Sequence, residues 1–246
     1  WILDRQGLIE NGAIVLVGPG HNGGDGLVVA RELYLAGVDV SIWCPFSLKK
    51  ELTQKHFDYA IHIGIKNMKN KPDPNSDSLW IESLLGLGQS RIISEEVIEL
   101  LNSKKKNSPG KLISVDVPAG LESDDGNITS KTACKSSSTL TIGLFKSGLI
   151  QDSAIGFVGD LERLDIGIPK KILSDLPRNQ PLRITFSDLK TFEWPKPSKN
   201  KSKYQRGRAL VVAGSEKYRG AASLALNGAL ASGAGSVSTF LPKSIS

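Results

Sequence analysis

The sequence predicts an α/β protein built on a Rossmann-like doubly wound parallel sheet. Short apolar, β-branched runs recur along it, each closed by Gly or Pro, and helix-patterned segments stand between them. The first such run enters a helix through a glycine-rich turn, inside one βαβ unit of about 30 residues. With 246 residues there is room for one large or two modest domains, each able to bury a core.

Residues 13–17 (Ala-Ile-Val-Leu-Val) lie between Gly12 and Gly18 and read as a buried parallel strand. After the glycine-rich turn, residues 25–35 carry apolar side chains at helical spacing, and Gly37 is placed to end that helix. Residues 38–43 alternate as a second strand. Further strands are expected at 78–85, 111–117 and 140–144, each followed by Gly or Pro. Ser94 is positioned to cap a helix whose first turn holds Glu95 and Glu96, with Lys104, Lys105 and Lys106 at the end where a cation suits the dipole. Beyond a Pro-, Lys-, Ser- and Asn-rich stretch at 195–202 a new unit opens, with a strand at 208–213, a helix near 221–231 and a strand at 236–240. The domains expected are 1–187, a linker at 188–202, and 203–246 as the start of a second domain.

Composition narrows the classes. Hydrophobic residues at 39% and charged residues at 23% fit a globular chain and argue against wholesale disorder. No apolar run is long enough to span a bilayer, so no membrane partner is expected. Trp1 in first place and Met68 as the sole methionine predict that the native start is missing, and the last strand, followed by no helix, predicts a cut at the other end. Cys44 and Cys134 stand far apart without a C-x-x-C or a histidine cluster, which predicts a reducing, cytoplasmic setting. The net charge of +6 raises nucleic acid as a partner, yet much of the excess lies between Lys196 and Arg208, where a solvated linker explains it.

Three strand ends carry the candidate chemistry. Gly18-Pro19-Gly20-His21-Asn22-Gly23-Gly24-Asp25-Gly26 holds a G-x-G-x-x-G, which by itself suggests a dinucleotide-binding dehydrogenase. That reading lacks an acid at the end of the second strand, which closes Trp43-Cys44-Pro45 with Asp39 only at its beginning. Asn22 and Asp25 add oxygens suited to a cation or to sugar hydroxyls; local turn bonding is their other reading, and for His21 it is a solvent-facing loop. Glu82 precedes Gly86-Leu87-Gly88-Gln89-Ser90-Arg91, and is either a cation ligand or a strand-end charge. Asp116, before Pro118-Ala119-Gly120, suits acid–base work, the alternative being a carboxylate tied to backbone amides. Lys146 is a candidate phosphate contact or an exposed lysine. In a parallel sheet all these ends share one edge.

Together these stretches resemble the YjeF N-terminal family, the NAD(P)HX epimerases. The matching segments are residues 18–26, 86–91, 114–120, Lys146-x-Gly148 and 156–169, in family order over most of residues 1–170. The resemblance implies interconversion of the R and S forms of NADHX and NADPHX, small-molecule substrates, and a bound potassium ion. Carried over by position, it puts potassium at Asn22, Glu82 and Ala119. It lines the hydrated cofactor with His21, Asn22, Gly23, Gly24, Asp25, Gly86, Leu87, Gly88, Gln89, Ser90, Arg91, Ile92 and Asp116, and makes Asp116 the general acid–base. The family usually has Asn at His21, Asp at Glu82, and Ser or Thr at Ala119. Ala119 therefore offers potassium only its backbone carbonyl. A homo-oligomer is left open.

Residues 203–246 resemble the opening of the ADP-dependent NAD(P)HX dehydratase, through Gly207–Ser215, Tyr218-x-Gly220-Ala221-Ala222 and Gly233-Ala234-Gly235. The pair looks like a fused hydrate-repair enzyme, with Ala222 at the second nucleotide site and ADP or ATP plus magnesium as its cofactors. The competing readings are a non-catalytic scaffold on the same fold and the NAD-dependent dehydrogenase.

Overall fold

The computed structural model describes residues 1–87, 93–129, 131–177, 179, 181–192 and 202–244. Two compact units emerge, Trp1–Leu176 and Pro177–Ser246. In the first, the elements run α1 (Gln6–Ile9), β1 (Ala13–Val17), α2 (His21–Leu35), β2 (Val40–Trp43), α3 (Glu51–His62), β3 (Lys66–Asn67) and β4 (Leu79–Ser83). They continue with α4 (Glu95–Asn107), β5 (Leu112–Val115), β6 (Ser138–Ile142), a 3-10 turn (Ser147–Ile150), α5 (Asp152–Val158), β7 (Asp160–Leu164) and α6 (Lys170–Ser174).

The seven strands form one parallel sheet in the order β3-β2-β1-β4-β5-β6-β7. The expected doubly wound α/β architecture is therefore present, with strand order reversing between β1 and β4. Strand periodicity explains why both faces are buried. Val15 and Val17 point into a core shared with Ile42, Ile81 and Ile113, against Leu27 and Leu33 of α2. Leu16 between them joins Trp43, Trp80 and Leu112 on the other face, against Val97, Ile98 and Leu101 of α4. One apolar run thus feeds two cores.

Several local expectations need correction. Helix α2 begins at His21, so Asn22, Gly23 and Gly24 lie in its first turn, not in a loop before it. Gly37 does close that helix, at φ 87° with its amide donating to the Tyr34 carbonyl at 2.9 Å. Ser94 takes the N-cap position of α4 but makes no side-chain cap bond. Lys104 is buried and donates to the Ser76 carbonyl while facing the Trp80 ring at 5.5 Å, so it braces a loop and is not a solvated end charge.

In the second unit, α7 (Phe186–Thr191) starts at a Thr185–Asp188 capping box. Strand β8 (Arg208–Val212), helix α8 (Arg219–Ala231) and strand β9 (Ser236–Phe240) then form a parallel βαβ unit. Ala222 is buried within α8. Most of the proline- and lysine-rich stretch expected as a linker, 193–201, lies outside the described residues.

A candidate active site where strand order reverses

A cleft of about 680 Å³ opens beyond the C-terminal ends of the central strands, lined by residues that include His21, Asn22, Asp25, Gly86, Asp116 and Lys146. A depression of similar size, about 710 Å³, lies by the starts of β5 to β7. Its polar groups already bond one another: Trp1 Nε1 donates to Glu162 at 2.5 Å and Lys105 donates to Ser137 at 2.8 Å. The candidate site residues line the first.

The glycines that build this cleft are needed for close approach, because none of those at 18–26 has a positive φ. A Cβ on Gly18 would stand 1.7 Å from the Leu84 carbonyl oxygen, one on Gly23 2.0 Å from the Gly18 carbonyl oxygen, and one on Gly26 1.9 Å from Ser83 Oγ. Their absence lets the first turn of α2 press against β4. Gly86 makes the other close approach, since a Cβ there would lie 3.1 Å from Asn22 Cβ and 3.3 Å from Asp116 Oδ2. Three loops far apart in sequence therefore meet.

Asn22 is buried, and its Nδ2 donates to the Leu85 carbonyl at 2.8 Å and the Val115 carbonyl at 3.1 Å. Those two bonds fix the amide across the ends of β4 and β5. Its Oδ1 is buried with no hydrogen-bond partner among the described residues. Such an orphaned acceptor is costly in a water-poor site unless a donor or a cation meets it.

Glu82 is fully buried. Its Oε1 accepts from the Leu84 amide at 2.8 Å, while Oε2 accepts from Ser114 Oγ at 2.6 Å and the Ala119 amide at 3.2 Å. Burial pushes its carboxyl up from an ordinary 4.5 to about 7, and the bonds from Ser114, Leu84, Ala119 and Leu85 oppose that rise. No cation pairs with it among the described residues. The Ala119 carbonyl in turn accepts from the Cys134 amide at 2.8 Å.

Asp116 stands just past β5 at φ 72°, the left-handed region that Asp and Asn tolerate better than most residues. Its Oδ1 accepts from the Ile142 amide at 3.1 Å and from Lys146 Nζ. Lys146 Nζ also donates to the Ile142 carbonyl at 2.7 Å. The two side chains are 10% and 9% exposed, so this is an ion pair largely removed from water. Lys146 is thus paired with Asp116, an engagement that uses two of the three N–H donors of its ammonium. Asp25 sits at the rim, where desolvation and then the Asp116 charge raise its carboxyl above the ordinary value, against His21 and His56.

Of the residues expected in the site, His21, Asn22, Asp25, Gly86, Leu87 and Asp116 line the one cleft. Gly23 and Gly24 are buried in α2 behind it, and Glu82 and Ala119 are buried beneath the loops. Gly88, Gln89, Ser90, Arg91 and Ile92 lie outside the described residues. Sequence reasoning missed Lys49, Lys50 and Ile166 as cleft residues. The first two follow β2 on the edge already expected to bind, and that placement was the available signal. Among the described residues there is no cluster of three His, Cys, Asp or Glu able to hold a metal.

The chain is a doubly wound α/β protein with a cleft at the reversal of strand order. Residues 8–148 match the family described as YjeF-related protein N-terminus, and the chain belongs to that family. The bifunctional NAD(P)H-hydrate repair enzyme Nnr of Synechocystis sp. is 37% identical over 234 residues, covering 94% of this chain and 44% of the relative. The NAD(P)H-hydrate epimerase of Oenococcus oeni is 35% identical over 169 residues, covering 68% of this chain and 80% of the relative. A crystal structure of yeast ynu0 aligns with a TM-score of 0.48 at 24% identity, covering 56% of this chain and 60% of that one. The chain spans less than half the length of the bifunctional relatives it matches first, 44% and 46%. No helix among the described residues is long and apolar enough to cross a membrane.

Proposed function

We propose that residues 1–187 interconvert the R and S forms of NADHX and NADPHX, with Asp116 as the general acid–base. The observation that carries this reading is the Asp116–Lys146 pair at the edge of a cleft large enough for a nucleotide. The substrate bears a hydroxyl at the nicotinamide C6, beside the ring nitrogen. Inversion breaks one C6 bond to a heteroatom and re-forms it on the other face, removing and returning one proton. Lys146 and the Ile142 amide hold Oδ1 of Asp116, while Oδ2 accepts no bond among the described residues and carries that proton. The Lys146 ammonium compensates the carboxylate charge and fixes its orientation.

A potassium ion fits the oxygens present. Asn22 Oδ1 lacks a partner and Glu82 is a buried carboxylate without a cation, so these two and the Ala119 carbonyl would hold it. When bound, the ion supplies a fixed positive charge joining α2 to the loops after β4 and β5. We also assign residues 203–246, beyond a linker at 188–202, to the opening of a dehydratase domain. The activity of the whole protein would then add dehydration of the S hydrate with ADP or ATP and magnesium, with Ala222 at the nucleotide site.

Conversion of the R epimer of NADPHX to S, followed by chromatography, tests the reading. We expect turnover by the chain and its loss in Asp116→Asn. No conversion by a folded chain that still binds nucleotide would remove it.

A further inference from the structure

We propose that Lys49 and Lys50 read the phosphate on the adenosine ribose, so that the cleft takes the 2′-phosphorylated hydrate in preference to the unphosphorylated one. This rests on the epimerase reading and adds which dinucleotide the site serves. Both lysines follow β2 and line the same cleft as Asp116 and Lys146. Three strand spacings separate β2 from β5, the strand that leads to Asp116. At roughly 4.8 Å per spacing, the end of β2 lies about 14 Å across the sheet from the end of β5. An extended dinucleotide with its nicotinamide at Asp116 covers that distance, and a mononucleotide does not.

The strand order matches that of dinucleotide folds in which the residue beyond the second strand meets the adenosine ribose. A carboxylate there accepts from a free 2′-hydroxyl, whereas a cation there meets a 2′-phosphate. In this chain β2 runs into Cys44 and Pro45, and the next carboxylate is Glu51, which pairs with Lys55 at 2.7 Å. Asp39 stands at the opposite end of β2, where its carbonyl accepts from the Ala13 amide at 2.8 Å. Lys49 and Lys50 are exposed, and neither pairs with a carboxylate among the described residues. The Lys49 amide donates to the Pro19 carbonyl at 3.1 Å, which ties the basic loop to the turn after β1 and holds it at the cleft. A hydroxyl at this edge brings no charge to meet the two solvated ammonium groups. A phosphate dianion satisfies both.

Calorimetric titration of the whole chain with 2′-phospho-ADP-ribose and with ADP-ribose reads the preference without turnover. The phosphorylated probe is expected to bind roughly tenfold more tightly, the size of one charge-assisted hydrogen bond at a partly solvated site. The ratio should fall to about one in the double variant Lys49→Ala, Lys50→Ala, and should shrink with added salt in the parent. Equal affinities in the parent, or a ratio that survives the double substitution, would overturn the assignment. Epimerisation of the R form of NADHX by the same preparation would then show that only this inference has failed. If neither probe binds and no epimer converts, the epimerase reading falls and takes this assignment with it.

Discussion

Asp116 occupies a left-handed backbone conformation, φ 72°, at the point where its side chain leaves the sheet for the cleft. Asn shares that tolerance and Ala does not, so two substitutions separate chemistry from strain. Asp116→Asn should lower kcat by about 100-fold or more, the usual size of a general acid–base contribution. Asp116→Ala should show the same kinetic loss and cost a further ~1 kcal/mol of stability, because only its backbone is unsuited to the site. Steady-state kinetics beside urea melts would separate the two, and an Asn variant with unchanged kcat would take Asp116 out of the reaction. Lys146 is tested differently. Lys146→Met keeps the apolar stem and removes the ammonium, so kcat should fall by roughly tenfold or more with little change in KM if the charge acts through Asp116. A change confined to KM would make it a substrate contact instead.

The first turn of α2 shows what packing does that propensity does not. Gly23, Gly24 and Gly26 are poor helix formers, and read as sequence they mark a loop. In the fold they are helical, because only a bare backbone lets the turn meet Gly18 and Ser83 at the distances found. Gly26→Ala should cost ~1–3 kcal/mol, the range for overpacking a closed interface, since the added methyl meets Ser83 Oγ and Val15. Gly156→Ala in α5, where nothing lies within 4 Å, should instead gain up to ~1 kcal/mol. Thermal melts that reversed this order would disprove the packing account. The same contrast explains what was legible. β1, β4 and β5 announce themselves as apolar runs closed by Gly or Pro, and the loops after them fall on one edge by topology alone. β3 is two exposed residues and β7 is the partly charged Asp-Leu-Glu-Arg-Leu, edge strands that gain their identity from a neighbour and not from hydrophobicity. The bonds that make the site chemical, Asp116 to Lys146 and Asn22 to Leu85 and Val115, join positions 30 to 93 residues apart. No spacing rule within one chain reveals them.

At the scale of the whole molecule, β5 and the loops after β4 and β5 close around one buried carboxyl, and this couples stability to pH. Glu82 ionises near 4.5 when unperturbed and near 7 in the fold, where burial dominates. Between those values the folded chain binds more protons than the unfolded one, so stability declines as pH rises from about 4.5 to about 7 and levels off above that. A rise of this size corresponds to about 3 kcal/mol. A cation held by Asn22 Oδ1, the Glu82 carboxylate and the Ala119 carbonyl favours the ionised form and draws the folded pKa back down. In choline buffer, the Tm is therefore expected to fall between about pH 4.5 and about pH 7, and potassium should remove most of that fall. Glu82→Gln cannot ionise, so its curve should lose this decline in both buffers while other groups titrate as before. Superimposable curves for the parent chain in choline and potassium would mean that no ion is held at this carboxyl. The Asn22 amide oxygen would then need another partner, and a group of the bound substrate that donates a hydrogen bond is the one the neighbouring cleft can supply.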